Sequence, residues 1–262
     1  MGSNPVLGSI PEINFRILKK NNNMQIEGRN PVQELLRSNK KVSILFIQHS
    51  IVKNDKIKEI VSFAQKKGIR IKKIGKNKLK KMSRTKNHQG IIAKAIREFD
   101  NLNVILNNLN KERKQPFFTI INEVLYQHNL GAIIRTAECA GCSAVIIPKK
   151  TRLTEEAVRA SMGATEHIPL IKTNLFSAIK YLKEYDIKII GLEASGKKSI
   201  YKEKLDLPVA FVIGGEHSGI TSSLYKKCDI VLKIPLFGKM NSLNMSNAAA
   251  IALFEKIRQD IK

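Results

Sequence analysis

The chain has no tryptophan and few other aromatic residues, 10 Phe and 5 Tyr among 262 residues. Stacking of nucleobases on aromatic side chains is therefore a less favoured mode of binding than contact with a phosphate backbone. No stretch reaches the roughly 20 consecutive apolar residues that a membrane-spanning helix needs. The N-terminus lacks the basic-then-apolar pattern of a signal peptide, and Val6 occupies the position where a myristoylation signal has Ser or Thr. We therefore expect a soluble cytoplasmic protein without a membrane partner, or a protein of an organellar stroma or matrix if the source is a eukaryote.

Cysteine is also scarce, with three in the chain. Cys139 and Cys142 have the spacing of a redox pair, in which the reactive thiolate lies at a helix N-terminus. Here the pair ends a predicted helix, where the dipole disfavours ionisation. Two cysteines without a histidine at ligand spacing cannot complete a structural zinc site. We interpret both as reduced, mostly buried residues, and we expect no metal.

Acidic residues are few, because 22 Asp and Glu oppose 46 Lys and Arg and leave a formal net charge of +24. This excess indicates a polyanionic partner. Residues 66–86 contain eleven Lys or Arg and no acid. A charge run is often only a solvated face, but this density without a carboxylate favours contact with phosphates. The candidates for RNA contact in this segment are Lys72, Lys73, Lys76, Lys78, Lys80, Lys81, Arg84 and Lys86.

The hydrophobic pattern alternates between helices and strands and divides the chain into two α/β units, which 262 residues can accommodate. We predict an extension at 1–23, a small α/β domain at 24–97, a linker at 98–115 and a second α/β domain at 116–262. Continuous apolar strands, such as that at 209–213, are typical of a mainly parallel sheet covered on both faces. Strands are predicted at 43–48, 69–73, 117–122, 143–147, 187–192, 209–213 and 230–232, and helices at 31–38, 55–67, 76–82, 100–109, 130–140, 154–160, 175–185, 221–226 and 245–261.

Three loops of the second unit follow predicted strands, at the end where α/β sheets bind ligands. They are the segment from Asn129, the glycine-rich turn at 214–219, and the Asn- and Ser-rich stretch at 241–247. Helix capping explains one or two of the Asn and Ser residues in the third loop but not all of them. The glycine-rich turn alone fits an ordinary tight loop equally well. We interpret the three loops together as a ligand site.

Arg135 lies in a largely apolar predicted helix that contains Ile133, Ile134 and Ala137. An unpaired guanidinium is costly to bury. We therefore expect an anionic partner, which is either a local carboxylate such as Glu216 or a bound phosphate, and we favour a dual role with both.

Together these segments resemble the SpoU family of RNA ribose 2′-O-methyltransferases, within the SPOUT class. Asn129, Gly131 and Arg135 are similar to the first motif of that family, Gly214-Gly-Glu-His-Ser-Gly219 to the second, and Ile234-Pro with Ser242-Leu-Asn244 to the third. The motifs occur in the family's order and approximate spacing.

The resemblance extends over nearly the whole chain. Gly28-Arg-Asn-Pro-Val32 and His88-Gln-Gly90 are similar to landmarks of the N-terminal RNA-binding domain in the subgroup that acts on large-subunit rRNA. The chain departs from the pattern just before the first motif. The family commonly has an acidic residue and an Asp-Pro pair there, whereas this chain has Asn122 and Gln127, without that charge and that rigid turn.

The resemblance implies a SPOUT α/β domain with a trefoil knot, one of the rare knotted topologies. It also implies S-adenosyl-L-methionine (SAM) as methyl donor, and a homodimer whose active site is completed across the interface. Carried over residue by residue, it implies SAM contacts, largely through the backbone, from Gly214, Gly215, Ile234 and Leu243. The implied catalytic residues are Asn129, Arg135, Glu216, Ser242 and Asn244, and the implied RNA-binding domain adds Arg29 to the basic residues above.

The implied reaction is methylation of a ribose 2′-hydroxyl, with a guanosine of large-subunit rRNA as the expectation for this subgroup. A tRNA ribose 2′-O-methyltransferase and a non-catalytic RNA-binding protein are the alternatives. A guanidinium has a pKa above about 12 and offers no lone pair while charged. We therefore expect Arg135 to bind an RNA phosphate rather than to accept the hydroxyl proton.

Overall fold

Two β-sheets with helices on their faces make up the residues that the structure, a computed structural model, describes: 23–38, 40–51, 54–85, 87–96, 98–216 and 218–261. The predicted N-terminal extension lies outside these residues apart from Asn23. The strands are β1 (Asn23–Glu27), β2 (Val42–Gln48), β3 (Ile71–Ile74), β4 (Ile91–Ile96), β5 (Phe117–Ile121), β6 (Ala144–Pro148), β7 (Leu170–Thr173), β8 (Lys188–Leu192), β9 (Lys198–Ser199), β10 (Val209–Ile213) and β11 (Ile230–Lys233). The helices are α1 (Arg29–Arg37), α2 (Asp55–Lys66), α3 (Lys76–Met82), α4 (Leu102–Glu112), α5 (Gln127–Cys139), α6 (Glu155–Ala160), α7 (Leu175–Lys183), α8 (Ser222–Tyr225) and α9 (Met245–Asp260), with 3₁₀ turns at His49–Ile51, Ala164–Glu166 and Ile200–Lys202. By length and hydropathy, none of the described helices is a candidate to cross a membrane.

The first sheet has the strand order β1-β4-β2-β3, in which β1 and β2 pair antiparallel with β4, and β3 is a parallel edge strand. Helices α1 and α2 cover one face and bury alternate strand residues such as Leu45 and Ile47. Helix α3 packs on the other face through Leu79, against Ile74 and Ile92. The small layered α/β unit that the alternation predicts is confirmed.

Helix α1 begins two residues earlier than the pattern predicts. Gly28, with φ +98°, precedes it, so Pro31 is the third helical residue rather than the first. A proline is tolerated there because the first four N–H groups of a helix have no acceptor within the helix.

The second sheet has seven parallel strands in the order β7-β6-β5-β10-β8-β11-β9. Helices α5, α6 and α9 bury one face, and α4, α7 and α8 bury the other. Strand β10 lies near the centre and is buried along its whole length. The predicted mainly parallel α/β fold is confirmed. Strands β7 and β9 were not predicted, and β9 has only 2 residues, which is too few to show a period.

The predicted linker contains helix α4, which runs three residues beyond the predicted end and stops at Arg113, in a left-handed conformation. Leu102 and Leu106 are buried in the core on the outer face of the second sheet. The polar composition after Leu109 therefore belongs to the exposed last turn of a packed helix.

The two sheet units pack directly against each other. Helix α1 lies on the Ala164–Glu166 turn, and the apolar core is continuous between the units. Gly163 has φ +103°, and a Cβ there would come 2.6 Å from Cγ of Glu34, so this approach requires glycine. Polar contacts also cross the boundary: the His167 ring lies 2.8 Å from the Glu34 carboxylate, and ion pairs join Arg84 to Glu155 at 2.5 Å and Lys40 to Glu166 at 3.3 Å.

Candidate functional site

A cavity of about 490 Å³ opens at the carboxyl edge of the second sheet, around the ends of β8, β10 and β11. Ligand pockets in proteins commonly have volumes of about 300–1,000 Å³. Eight predicted site residues line this cavity: Asn129, Gly214, Gly215, Glu216, Ile234, Ser242, Leu243 and Asn244. The remaining lining comes from Tyr126, Leu192, Glu193, Ala194, Ile213, Gly219, Leu236, Met245 and Ala248, most of which the sequence did not single out. The structure thus brings the three loops to one place.

The glycine-rich turn is closed by its own backbone. The N–H of Gly215 donates to the carbonyl of Gly219 at 2.8 Å, and Gly219 adopts a left-handed φ of +61°. Side chains from the end of β5 hold the outer side of the turn. Nδ2 of Asn122 donates to the Gly219 carbonyl at 3.0 Å, and the Ser218 hydroxyl donates to Glu123 at 3.1 Å.

Neutral hydrogen bonds fix the segment in which the chain departs from the family pattern. Asn122 anchors the glycine-rich turn, as described above. Oε1 of Gln127 accepts from the backbone N–H and the hydroxyl of Thr154, at 3.3 and 3.1 Å. This contact ties the start of α5 to the start of α6 without an acidic residue or an Asp-Pro pair.

One directed chain of hydrogen bonds links the three loops. The backbone N–H of Ser246, in the first turn of α9, donates to Oδ1 of Asn244 at 2.8 Å. The amide nitrogen of Asn244 therefore faces Asn129 and donates to its Oδ1 at 3.2 Å. Nδ2 of Asn129 then donates to Oε1 of Glu216. The backbone of α9 thus sets the orientation of both amides and of the carboxylate at the end of the chain.

Two carboxylate oxygens at the cavity are buried without a hydrogen-bond partner among the described residues. They are Oε2 of Glu216 and Oε2 of Glu193, the residue that follows β8. A buried acceptor that lacks a partner costs about 1–3 kcal/mol, and more when it is charged. The arrangement favours a ligand that carries positive charge or hydrogen-bond donors.

Arg135 does not line the cavity and is exposed on α5, while Ile133 and Ile134 are buried. It follows Asn129 by six residues, which in an α-helix corresponds to about 240° around the axis and about 9 Å along it. The predicted alternative of an Arg135–Glu216 ion pair is therefore wrong for the described chain, in which Glu216 bonds to Asn129 instead. The expectation of a buried guanidinium is wrong for the same geometric reason.

The predicted RNA-contacting residues divide into exposed lysines and two arginines that bond to other parts of the described chain. The lysines at 72, 73, 76, 78, 80 and 81 are exposed on β3 and α3. Arg84 pairs with Glu155, and Arg29 donates to the Gln89 carbonyl at 3.3 Å, so both contribute to the packing of the chain. Lys86 lies outside the described residues.

Lys94 is an exposed basic residue that the charge run did not reveal. It projects from β4 with its ammonium 5.8 Å from the ring centre of Phe46, which stands opposite Lys72 in the β2–β3 register. Lys72, Phe46 and Lys94 therefore share the face of the sheet that carries α3. In the sequence, the signal that could have identified Lys94 is its position as the single polar residue in the otherwise apolar strand Ile91–Ile96.

Glu27 holds the end of the basic segment against the sheet. Burial alone would raise the pKa of this carboxyl, but hydrogen bonds from the Thr85 hydroxyl, the Arg84 backbone, Ser83 and Gln25 outweigh burial and lower the pKa. The loop after α3 therefore depends on an ionised Glu27.

The cysteine pair ends α5, as predicted. Cys142 is buried, and burial raises the pKa of its thiol to about 12 despite a bond to Thr119. It is therefore not a reactive thiolate at neutral pH. Cys139 is exposed, contrary to the prediction that both are mostly buried.

Comparison with protein families gives two matches. Residues 116–254 match the SpoU rRNA Methylase family, and residues 25–98 match the family described as RNA 2′-O ribose methyltransferase substrate binding. The first match includes every lining residue of the cavity, and the second includes the first sheet from Gln25 onward.

Individual relatives agree with these matches. The chain is 36% identical over 236 residues to YacO of Bacillus subtilis (strain 168), a protein assigned to the TrmH family of tRNA/rRNA methyltransferases, with 88% of this chain and 94% of YacO covered. Its fold is similar to that of the SpoU methyltransferase AviRb from Streptomyces viridochromogenes, whose crystal structure contains AdoMet (SAM), with a TM-score of 0.79, 19% identity, and 92% and 91% of the two chains covered. It is also similar to the AdoMet-bound rRNA methyltransferase from Sinorhizobium meliloti, with a TM-score of 0.75, 23% identity, and 90% and 87% covered.

Proposed function

The chain belongs to the SpoU rRNA methylase family, and we propose that it transfers the methyl group of SAM to the ribose 2′-hydroxyl of a guanosine in large-subunit rRNA. The observation that carries the proposal is the directed chain Ser246–Asn244–Asn129–Glu216, which ends at a cavity with two unpartnered carboxylate oxygens.

The residues that line the cavity fit SAM. SAM carries an ammonium and a sulfonium, which match an acceptor-rich cavity better than they would match an apolar one. Apolar side chains of Leu192, Ile213 and Ile234 provide a wall for its adenosyl part. Backbone at Gly214, Gly215, Ile234 and Leu243 would hold it, as the family pattern implies. When bound, SAM supplies a methyl group on a good leaving group.

The residues of the chain supply positioning. Asn129 and Asn244 are locked by the hydrogen-bond chain, so their remaining polar surface is pre-oriented toward an incoming ribose, together with Ser242. Holding two reactants in the reactive geometry is worth about 7–11 kcal/mol in well-oriented cases. This contribution from positioning does not require a cationic side chain to accept the hydroxyl proton.

Arg135 binds a phosphate beside the target ribose in this proposal, and it does so from a second subunit. The guanidinium is exposed and outside the cavity of its own chain, on the same helix as Asn129. Tyr126, at the start of α5, is 60% exposed and Phe254, on α9, is 47% exposed, which leaves apolar surface for a symmetric contact. A homodimer across α5 and α9 would bring Arg135 of the partner subunit to the cavity.

The trefoil knot remains part of the proposal, with residues 193–208 as the covering loop. Gly196 packs so closely on β11 that a Cβ there would lie 2.5 Å from the carbonyl carbon of Leu232. At its other end the loop reaches α9, where the Leu205 N–H donates to Gln259 at 2.8 Å. These contacts support passage of the β11–α9 segment beneath the loop.

The first sheet presents a basic face for the rRNA. Lys72, Lys94 and the lysines of α3 share one side of the sheet, with Phe46 between them. Contacts of ammonium groups with phosphates position an RNA without reading its sequence. The presence of this domain favours rRNA over tRNA, since tRNA-specific relatives typically lack it.

Mapping of 2′-O-methyl groups in rRNA and tRNA, from cells with and without the gene, tests the function. We expect one guanosine of large-subunit rRNA to lose its methyl group in the deletion and to regain it with the wild-type gene but not with Asn129→Ala. A loss confined to tRNA would overturn the substrate assignment. No change in either RNA, together with no heat on titration with SAM, would identify a non-catalytic RNA-binding protein.

Two variants test the shared site. Co-expression of Asn129→Ala with Arg135→Ala should restore activity that neither variant has alone, because a mixed dimer contains one intact site. If dimers shown to contain both variants stay inactive, Arg135 does not act at the cavity of the partner subunit. Near-full turnover of Arg135→Lys with intact RNA affinity would exclude Arg135 as an essential residue.

A further inference from the structure

Glu193 is delivered into the cavity by a turn that cannot move easily. Its N–H donates to the Leu232 carbonyl at 2.9 Å, and its carbonyl accepts from the Gly196 N–H at 3.0 Å. Gly196 itself lies directly on the backbone of β11. The backbone position of Glu193 is therefore set by its contact with β11, which pairs with β8.

The carboxylate of Glu193 is oriented but incompletely bonded. Its Oε1 lies 2.6 Å from the point that a Cβ on Gly219 would occupy, so the carboxylate rests against the glycine-rich turn. Its Oε2 is buried and has no hydrogen-bond partner among the described residues. Burying a charge without compensation is unfavourable, so this oxygen has the character of a ligand contact.

Glu193 and Asn129 belong to elements on opposite sides of strand β10. Strand β10 is flanked by β5 on one side and by β8 on the other. In the Asn129–Glu216 contact, Asn129 lies on α5, which follows β5, whereas Glu193 follows β8 on the other side of β10. If the methyl group reacts at the Asn129 end, the adenosyl part of the donor extends toward Glu193.

We propose that Glu193 binds the ribose 2′,3′-diol of the adenosyl group, an inference that rests on the proposed function. A carboxylate accepts hydrogen bonds from two neighbouring hydroxyls through its two oxygens. The adenine edge fits it less well, because the exocyclic amine lies beside a ring nitrogen that is itself an acceptor and would repel the second oxygen. The adenosyl group offers no other pair of adjacent donors.

Calorimetric titration of wild type, Glu193→Gln and the control Glu184→Gln tests the assignment. Glu184 is exposed at the end of α7, outside the cavity. The probes are SAM, S-adenosylhomocysteine, methylthioadenosine and 3′-deoxy-methylthioadenosine. We expect Glu193→Gln to weaken the first three equally, by about 10- to 100-fold, as for lost hydrogen bonds to a charged group. The 3′-deoxy probe should bind weakly to the wild type, and its affinity should decrease little further in Glu193→Gln.

Several results would overturn the assignment. Unchanged affinity for S-adenosylhomocysteine would remove Glu193 from the site. A loss of affinity for SAM alone would assign Glu193 to the sulfonium. A loss of affinity that spares methylthioadenosine would assign Glu193 to the amino-acid end of the donor. If wild type binds none of the four probes, the proposed function itself fails.

The stability of the free protein separates ligand binding from a structural role. Because the buried oxygen has no partner, Glu193→Gln should leave the melting temperature unchanged or raise it. A clear decrease would show that the carboxylate supports the fold and would overturn the proposal.

Discussion

Asn129→Asp is an informative substitution because it keeps the shape of the side chain and replaces one hydrogen-bond donor by an acceptor. In the wild type Asn129 donates to Glu216 and accepts from Asn244. Aspartate can still accept from Asn244, but it places a second carboxylate against Glu216. The substitution therefore tests the direction of the hydrogen-bond chain, with little change in packing.

The magnitude follows from two terms. Loss of a hydrogen bond to a charged acceptor costs about 1.5–3 kcal/mol. Two unit charges about 3 Å apart, at an effective dielectric constant of about 20, repel by about 5–6 kcal/mol, which is an upper limit because one carboxylate takes up a proton instead. We expect the free energy of unfolding to fall by about 2–4 kcal/mol at pH 7. Methyl transfer should fall about 100-fold or more, because the residues that position the ribose are displaced.

The pH dependence has a definite sign. The shared proton gives the carboxylate pair a pKa in the folded state that is raised above its value in the unfolded chain. The loss of unfolding free energy is then fully present at pH values above the raised folded pKa. It disappears at pH values below the unfolded pKa of about 4. Urea unfolding should show a difference between variant and wild type that shrinks from pH 7 to pH 5. The control is Asn241→Asp, the same substitution at an exposed position of the 241–247 loop that does not line the cavity. Equal urea midpoints for Asn129→Asp and wild type at both pH values would refute the hydrogen-bond chain.

Three further predictions concern the remainder of the molecule. Glu27→Gln should lower the free energy of unfolding by about 1–3 kcal/mol at pH 7. The lowered pKa makes this contribution fully present above the ordinary value of 4.5 and lost as pH falls through the folded value, so a difference that does not shrink as the pH is lowered below 4.5 in urea titrations would contradict it. Gly163→Ala should lower the melting temperature more than Gly141→Ala, because both have positive φ but only Gly163 faces a neighbouring side chain, at 2.6 Å; equal losses would be evidence against the packed boundary. Lys94→Gln should weaken rRNA binding and reduce the salt slope by about 0.7–0.9, whereas the control Lys111→Gln on α4 should change neither, as measured by filter binding at several salt concentrations.

The sequence was sufficient to predict the parallel sheet and the three loops that meet at the cavity, for physical reasons. Strands such as β10 are continuously apolar because both of their faces are covered. The ends of such strands converge at one edge, so Asn129, Glu216 and Asn244 could be grouped without knowledge of side-chain positions.

Arg135 shows where the same reasoning failed. Its neighbours Ile133 and Ile134 are buried, and the segment therefore looked apolar throughout. In a helix, adjacent residues are separated by about 100°, so a buried residue says little about the exposure of the next one. Glu193 was missed for a different reason. A single carboxylate after a strand belongs to no motif, and only the missing hydrogen-bond partner of Oε2 distinguishes it.

Asn244 caps α9, and this role determines which substitutions at the position preserve the fold. Oδ1 of Asn244 receives the Ser246 N–H, and an aspartate at this position would cap the helix equally well. Aspartate has no N–H to donate to Asn129, however, so the Asn129 amide would lose the hydrogen bond that fixes its orientation toward Glu216. A screen that scores only folded protein would accept Asn244→Asp, and the defect would become visible only in an assay of methyl transfer.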